Sequence, residues 1–319
     1  LGDKRTEATA EPIAIGSFLV DVITKIEERY NSGGGITGLS TGLDDLDEKT
    51  CGLQPADLII VAGRPSMGKT TLAINIAEHV SAVSGLPSAV FSMEMSKEQL
   101  AERSLASIGG VSMGAMRSGR MTDEMFPRLS AALGKLVDSK LMIDDSPALS
   151  VMQIRSRCRR IAKKHGLALV VVDYIQLARG EGQNREQEVS SVSRGLKAIA
   201  KEFRCPVIAL SQLSRKVEDR PNKRPMMSDL RDSGAIEQDA DVILFMYRDE
   251  YYNPDTPDKG IAEIIIGKQR MGETGIVPVV FQGEFSRFKT LSAQARHELF
   301  ESREQSRPSP MARRRKGVE

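Results

Sequence analysis

The chain has 319 residues, 40% of them hydrophobic and 28% charged, which suits one large domain or two small ones around a sizeable core. Apolar content at this level excludes a disordered chain. Lys and Arg number 45 against 43 Asp and Glu, a formal net charge of +2, so a uniformly polybasic nucleic-acid binder is not indicated and any grip on an acidic polymer must come from local placement of charge.

Residues 1–16 read as a loose leader, polar and charged from Leu1 to Pro12 and unlike a signal peptide. Phe18, Val22, Ile26 and Tyr30 then recur every four residues beside Leu19 and Ile23. That spacing predicts a helix with one apolar stripe, N-capped by Ser17. The run Asn31-Ser32-Gly33-Gly34-Gly35 ends it in a hinge. A helix isolated in this way must bury its stripe on its own domain or on a neighbouring subunit.

From residue 57 the rhythm becomes strand, loop, helix. Apolar runs predict strands at 57–62, 88–92, 141–144, 167–172, 206–210, 242–247, 262–267 and 276–281. Helical patterns fall at 70–83, 96–108, 112–138 with a break near Ser118-Gly119, 151–164 and 185–203. Continuous apolar strands alternating with helices imply a mainly parallel sheet covered on both faces. After about Ser292 the sequence turns polar and ends in the basic run Arg313–Lys316, which reads as a solvated tail. Cys51, Cys158 and Cys205 are scattered and odd in number, which argues for a reducing cytosol rather than a disulfide framework. His79, His165 and His297 show no metal-ligand spacing, and no apolar run approaches the ~18 residues of a membrane span.

Gly63-Arg64-Pro65-Ser66-Met67-Gly68-Lys69-Thr70 fits GxxxxGK[ST], after a predicted strand and opening a predicted helix, with Thr71 next in line. Glycines let the backbone curl so that several N–H groups face one phosphate, and the helix N-terminus adds its positive end. Lys69 supplies a cation for the β- and γ-phosphates and Thr70 a hydroxyl for Mg²⁺. Other groups of such a site belong at strand ends. Asp173 ends the run LVVVD and is either a carboxylate placed to reach the Mg²⁺ shell through water or an ordinary polar residue at a strand end. Glu94 follows the 88–92 strand and is either a base for the attacking water or a solvated loop residue beside the Ser96/Gln99 capping box. Gln212 is either a sensor of the γ-phosphate or a surface amide. Lys268 and Arg270 leave the strand AEIIIG as a solvated edge or as cations offered to a neighbour's nucleotide.

Together these residues resemble the C-terminal ATPase domain of the DnaB-type replicative DNA helicases, a RecA-like, hexamer-forming family. The resemblance rests on GLSTGLDDLD (38–47), the phosphate loop, FSMEMS (91–96), VVVDYIQL (170–177), the 184–203 helix, LSQLSR (210–215), SDLRDSGAIEQDADVI (228–243) and EIIIGKQRMG (263–272). It implies an α/β RecA-like P-loop ATPase domain at 36–290, preceded by a linker helix and hinge at 17–35 and followed by a tail. It also implies ATP and Mg²⁺ as cofactors and 5′→3′ travel on single-stranded DNA in the channel of a homo-hexamer. Glu94 then matches the catalytic glutamate, Gln212 the γ-phosphate sensor, and Lys268 with Arg270 the pair acting in trans. Arg231, Asp232 and Gly234 match the loop that holds strand phosphates, with Arg185 a second candidate. The residues present do not include that family's N-terminal helical domain, which leaves a primase contact doubtful for them, whereas a helicase loader is expected. Two rivals stay open on sequence: a RecA-like recombination or repair ATPase, and a nucleotide-binding assembly module without turnover.

Overall fold

Strand β1 (Leu58–Gly63) shows why the apolar runs are continuous. Leu58, Ile60 and Ala62 face one core, and Ile59 and Val61 the other. Successive strand residues point to opposite faces, so a strand buried on both sides has no polar position to alternate with. The computed structural model describes residues 14–31 and 35–305.

Helix α1 (Gly16–Asn31) precedes the main body and α2 (Asp44–Thr50) opens it. After β1 come α3 (Lys69–Glu78), continued by a π turn at His79–Val83, then β2 (Ser88–Ser92), α4 (Lys97–Gly109), α5 (Met113–Ser118) and α6 (Met125–Asp138). β3 (Leu141–Asp144), α7 (Val151–His165), β4 (Leu169–Asp173), α8 (Arg185–Phe203) and β5 (Val207–Gln212) follow. The last third holds α9 (Gly234–Asp239), β6 (Val242–Tyr247), α10 (Asp249–Tyr252), β7 (Ile261–Gln269), β8 (Gly275–Gln282), β9 (Arg287–Thr290) and α11 (Ala293–Gln305).

Among the described residues the strands form one nine-stranded sheet in the order β3-β2-β4-β5-β1-β6-β7-β8-β9. Pairings from β3 to β6 are parallel, and those from β6 to β9 are antiparallel. The sheet is thus mainly parallel with an antiparallel extension. One face packs on α3 through Leu72 and Ile76. The other packs on α7, α8 and α9 through Ile154, Leu196 and Ile236. Each buried aliphatic side chain of this kind contributes about 1.5–3 kcal/mol.

Local signals place several helix starts. Ser96 and Gln99 form a reciprocal capping box at α4, and Ser150 with Gln153 forms another at α7. Asn184 accepts the Gln187 N–H at 2.9 Å and starts α8. Ser17 is different from the sequence expectation. It lies inside α1 rather than ahead of it, and its hydroxyl donates to the Ala14 carbonyl at 2.7 Å. The α1 stripe is uncovered: Leu19, Val22, Ile23, Ile26 and Tyr30 are 42–85% exposed. Packing of that stripe on its own domain is therefore not what the described residues do. The polar stretch after residue 290 opens with α11, whose Leu299 is buried and whose Arg296 pairs with Asp45. The basic run Arg313–Lys316 lies outside the described residues.

Candidate nucleotide site

Parallel register brings the candidate residues to one edge. Gly63 pairs with Gln212, and Ser92 with Asp173, so the phosphate loop, the Glu94 turn and the Gln212 turn all leave the sheet side by side. The loop turns through Ser66 (φ 65°) and Gly68 (φ 93°) into the free N-terminus of α3. A side chain at Gly68 would also meet the Phe288 ring at 2.7 Å, so glycine is required there twice over.

Lys69 lies back over the loop, its Nζ donating to the Arg64 carbonyl at 3.0 Å. Burial lowers its pKa to about 8, against the opposing pull of Asp173 and Glu94. Thr70 donates its hydroxyl to Asp173 Oδ2 at 2.9 Å. Burial raises Asp173 to about 6, and Glu94 adds to that rise while the Thr70 hydrogen bond opposes it. A hydroxyl and a carboxylate in contact are hard oxygen donors that suit Mg²⁺, which takes one or two protein ligands and fills its octahedron with phosphate and water. Among the described residues no group of three or more His, Cys, Asp or Glu side chains could hold a metal ion by itself, so an ion here would share its shell with phosphate.

Ser92 builds the turn that presents Glu94. Its hydroxyl donates to the Met95 carbonyl at 2.8 Å and accepts the Met95 N–H at 3.1 Å, while the Met93 N–H reaches the Asp173 carbonyl at 2.8 Å. Lys69, Thr70, Glu94, Asp173 and Gln212 then line one cleft of about 360 Å³ with Pro65, Ser66, Gly68 and Thr71. Larger cavities of about 500 Å³ beside α3 and about 530 Å³ at the opposite sheet edge lack this convergence on a free helix start.

Not every candidate meets there. Arg64 and Met67 give the loop main chain only. Met67 is buried in the core, and the Arg64 guanidinium turns inward to Glu218 at 2.9 Å and the Leu213 carbonyl at 3.0 Å. Lys268 and Arg270 sit at the far edge, because β7 runs antiparallel and its end pairs with the start of β6. Along β1, the strand alone separates the two edges by roughly 15 Å, at about 3.3 Å per residue. Arg185 opens α8, paired with Glu188 at 2.8 Å and bonded to the Gln176 carbonyl. The side chains of Arg231 and Asp232 lie outside the description; their backbone belongs to a 3₁₀ turn, Met227–Ser233. Gly234 has an ordinary φ of −51° and open space where a Cβ would stand. Among the described residues, nothing stands where a side chain at Gly234 would go.

The family of the chain follows from comparison. The model of the DnaB-like helicase C-terminal domain matches residues 38–290. The chain belongs to that family. It is 49% identical over 280 residues to the replicative DNA helicase DnaB of Geobacillus stearothermophilus, covering 87% of this chain and 62% of that protein. It is 50% identical over 301 residues to the replicative DNA helicase DnaB of Pasteurella multocida, covering 92% and 64%. The chain thus spans a little under two thirds of these relatives. Among solved structures, a DnaB-like replicative helicase described with its primase interactions superposes with a TM-score of 0.81 at 38% identity, over 88% of this chain and 68% of that one. The RadB recombinase, at 20% identity and TM-score 0.51 over 80% of this chain, shares the fold alone. The fold is α/β and RecA-like.

Two residues of this DnaB-like cleft escape sequence reasoning. Arg103 on α4 lines the cleft, half-buried, with burial lowering its pKa against Asp173 and Glu94. The only signal is its place two turns after the Ser96 cap. Arg248, just past β6, donates to the Ser66 carbonyl at 3.0 Å and lies 4.0 Å over the Phe281 ring, which fixes the loop from behind. Its ion pair with Glu250 is local, but the contacts that tie it to the loop, Ser66 and Phe281, are distant in sequence.

Proposed function

We propose that the protein is an ATP-dependent DNA helicase: it hydrolyses ATP, moves 5′→3′ on single-stranded DNA as a homo-hexameric ring and displaces the complementary strand. One observation carries the reading. The cleft brings the phosphate loop together with Glu94 and Gln212, while Lys268 and Arg270 lie at the opposite sheet edge. Copies packed edge to edge complete one another's sites, and a closed ring completes all of them.

In the cleft, the loop N–H groups and Lys69 bind the β- and γ-phosphates. The Thr70 hydroxyl, and Asp173 through water, would hold Mg²⁺, which would supply charge neutralisation on those phosphates. Glu94 accepts a proton from water as its oxygen attacks the γ-phosphorus and the bond to the β–γ bridging oxygen breaks. Arg270 and Lys268 of the adjacent copy stabilise the charge on the transferring group. Gln212 registers loss of the γ-phosphate at the loop beginning with Leu213. Arg231, Asp232 and Gly234 hold strand phosphates in the central channel, and Arg185 is a second contact. The exposed α1 stripe supports docking of the linker helix on a neighbouring copy. We place the protein in a bacterial or phage-infected bacterial cytoplasm, with a helicase loader as partner. For these residues a primase contact stays the weaker assignment, although the solved DnaB-like relative is described with one.

The test is strand displacement on forked DNA beside a mass measurement of the assembly. ATP-dependent displacement by hexamers is expected, from the 5′ side only. DNA-stimulated hydrolysis by filaments without displacement would favour the recombinase-like rival. Nucleotide binding without hydrolysis would favour the assembly module.

A further inference from the structure

Lys268 and Arg270 are held by the end of α9. Lys268 Nζ donates to the Glu237 and Ala240 carbonyls, each at 2.6 Å, and Arg270 Nη2 to the Gln238 carbonyl at 2.8 Å. These are closing carbonyls of a short helix, which find few N–H partners of their own. Asp241 completes the cradle. Its carboxylate is buried, lies 3.5 Å from Arg270 Nε, pairs with Lys197 and accepts the Leu58 N–H at 2.8 Å. At its other end α9 continues without a break from the turn Met227–Ser233, which carries Arg231. The helix between is only about 9 Å long. One short piece of backbone therefore joins the cations offered to a neighbour's nucleotide to the segment assigned to the DNA strand.

We propose that Asp241 and the terminal carbonyls of α9 form a latch for Lys268 and Arg270, with Asp241 as their positioning residue. The inference rests on the helicase reading above. With no phosphate to bind, the two cations cap α9 and hold its last turn. When a neighbour's terminal phosphate takes their donors, those carbonyls lose their partners, the turn loosens and the 231–234 segment is free to shift. Nucleotide state in one subunit then sets the strand contact of the next, and strand binding acts back on the nucleotide by the same factor.

The test measures affinity for a labelled oligo-dT strand on the assembled protein, with and without ADP–aluminium fluoride. The ratio of the two affinities is the coupling, expected at about tenfold in the unmodified protein. Asp241→Asn combined with Lys197→Met keeps the buried pair neutral. This double variant should bring the coupling to within about twofold of unity, with the nucleotide-free affinity moving to the nucleotide-bound value. Glu237→Ala, which keeps the carbonyl, should leave the coupling intact. A folded double variant with unchanged coupling overturns the latch. If that variant does not fold, hydrogen exchange on the unmodified protein decides: amides of 235–241 should exchange faster when the analogue binds, and unchanged or slower exchange overturns the proposal. Strand binding and hydrolysis both absent from the unmodified protein would instead count against the helicase reading.

Discussion

The two edges of the sheet are built on opposite plans. At the edge where β1, β4 and β5 end, a helix N-terminus, an ammonium, a hydroxyl and carboxylates converge on one cleft and perturb one another. At the other edge, Lys268 and Arg270 rest on main-chain carbonyls and, for Arg270, beside the Asp241 carboxylate, away from the phosphate loop. The first edge describes a binding site within one chain. The second, on the proposed function, serves another copy. A site split in this way ties turnover to assembly, which a self-contained cleft would not.

The strongest way to break the comparison is at the first edge. Lys69→Ala removes the cation assigned to the β- and γ-phosphates and should reduce hydrolysis by ~10³-fold or more, in line with loss of a preorganised electrostatic contact; a variant that still turns over would remove the phosphate-loop assignment. At the second edge, Arg270→Ala should lower kcat by a comparable ~10³-fold, the lower end for a cation supplied in trans, while binding of a fluorescent nucleotide to the protomer changes little. Equal loss in nucleotide binding by isolated protomers would place Arg270 in its own cleft and contradict the split.

A milder effect is expected with pH. Asp173, raised to about 6, must ionise to organise the metal, and Lys69, lowered to about 8, must stay protonated to hold phosphate. The kcat/KM for ATP, which reports the free enzyme, should therefore rise through about 6 and fall through about 8. Asp173→Asn should abolish turnover on the plateau rather than shift the alkaline limb. A profile flat from about 5 to about 9 would mean that neither group limits the reaction. The smallest change belongs to the strand contact. Arg231→Ala should weaken single-strand binding and reduce its salt slope by ~0.7, the value for one phosphate on a single strand. An unchanged slope moves the contact elsewhere, with Arg185 next in line.

What is legible in the sequence follows the same division. β4 and β1 announce themselves because burial on both faces leaves an unbroken apolar run. The phosphate loop and the Ser96/Gln99 box are local signals, with partners a few residues apart, and both are readable. α2 is not. Its sequence DDLDEKT has little apolar content, and Asp47 fixes it by accepting from the Thr41 N–H and hydroxyl. β9 is hidden for a similar reason, since RFKT buries Phe288 alone and its place depends on pairing with β8. Arg64 misleads because its sequence position says phosphate loop, while its side chain answers to Glu218, far along the chain. Position within a motif fixes the main chain; distant partners decide where the side chain goes.

The near-neutral charge is consistent with this layout. The cations assigned to phosphate are few, and six copies would bring the same loop to one channel, so grip depends on geometry rather than on bulk charge.

Whether one copy's cleft is completed by the cations of the next is decided by mixed assemblies. Arg270→Ala subunits keep Glu94, and Glu94→Ala subunits keep Arg270, so each is inactive alone. Mixed in rings, they form interfaces that carry both groups. ATP hydrolysis should reappear on mixing and peak near equal proportions. No recovery at any ratio, in rings shown by mass to contain both variants, would contradict it.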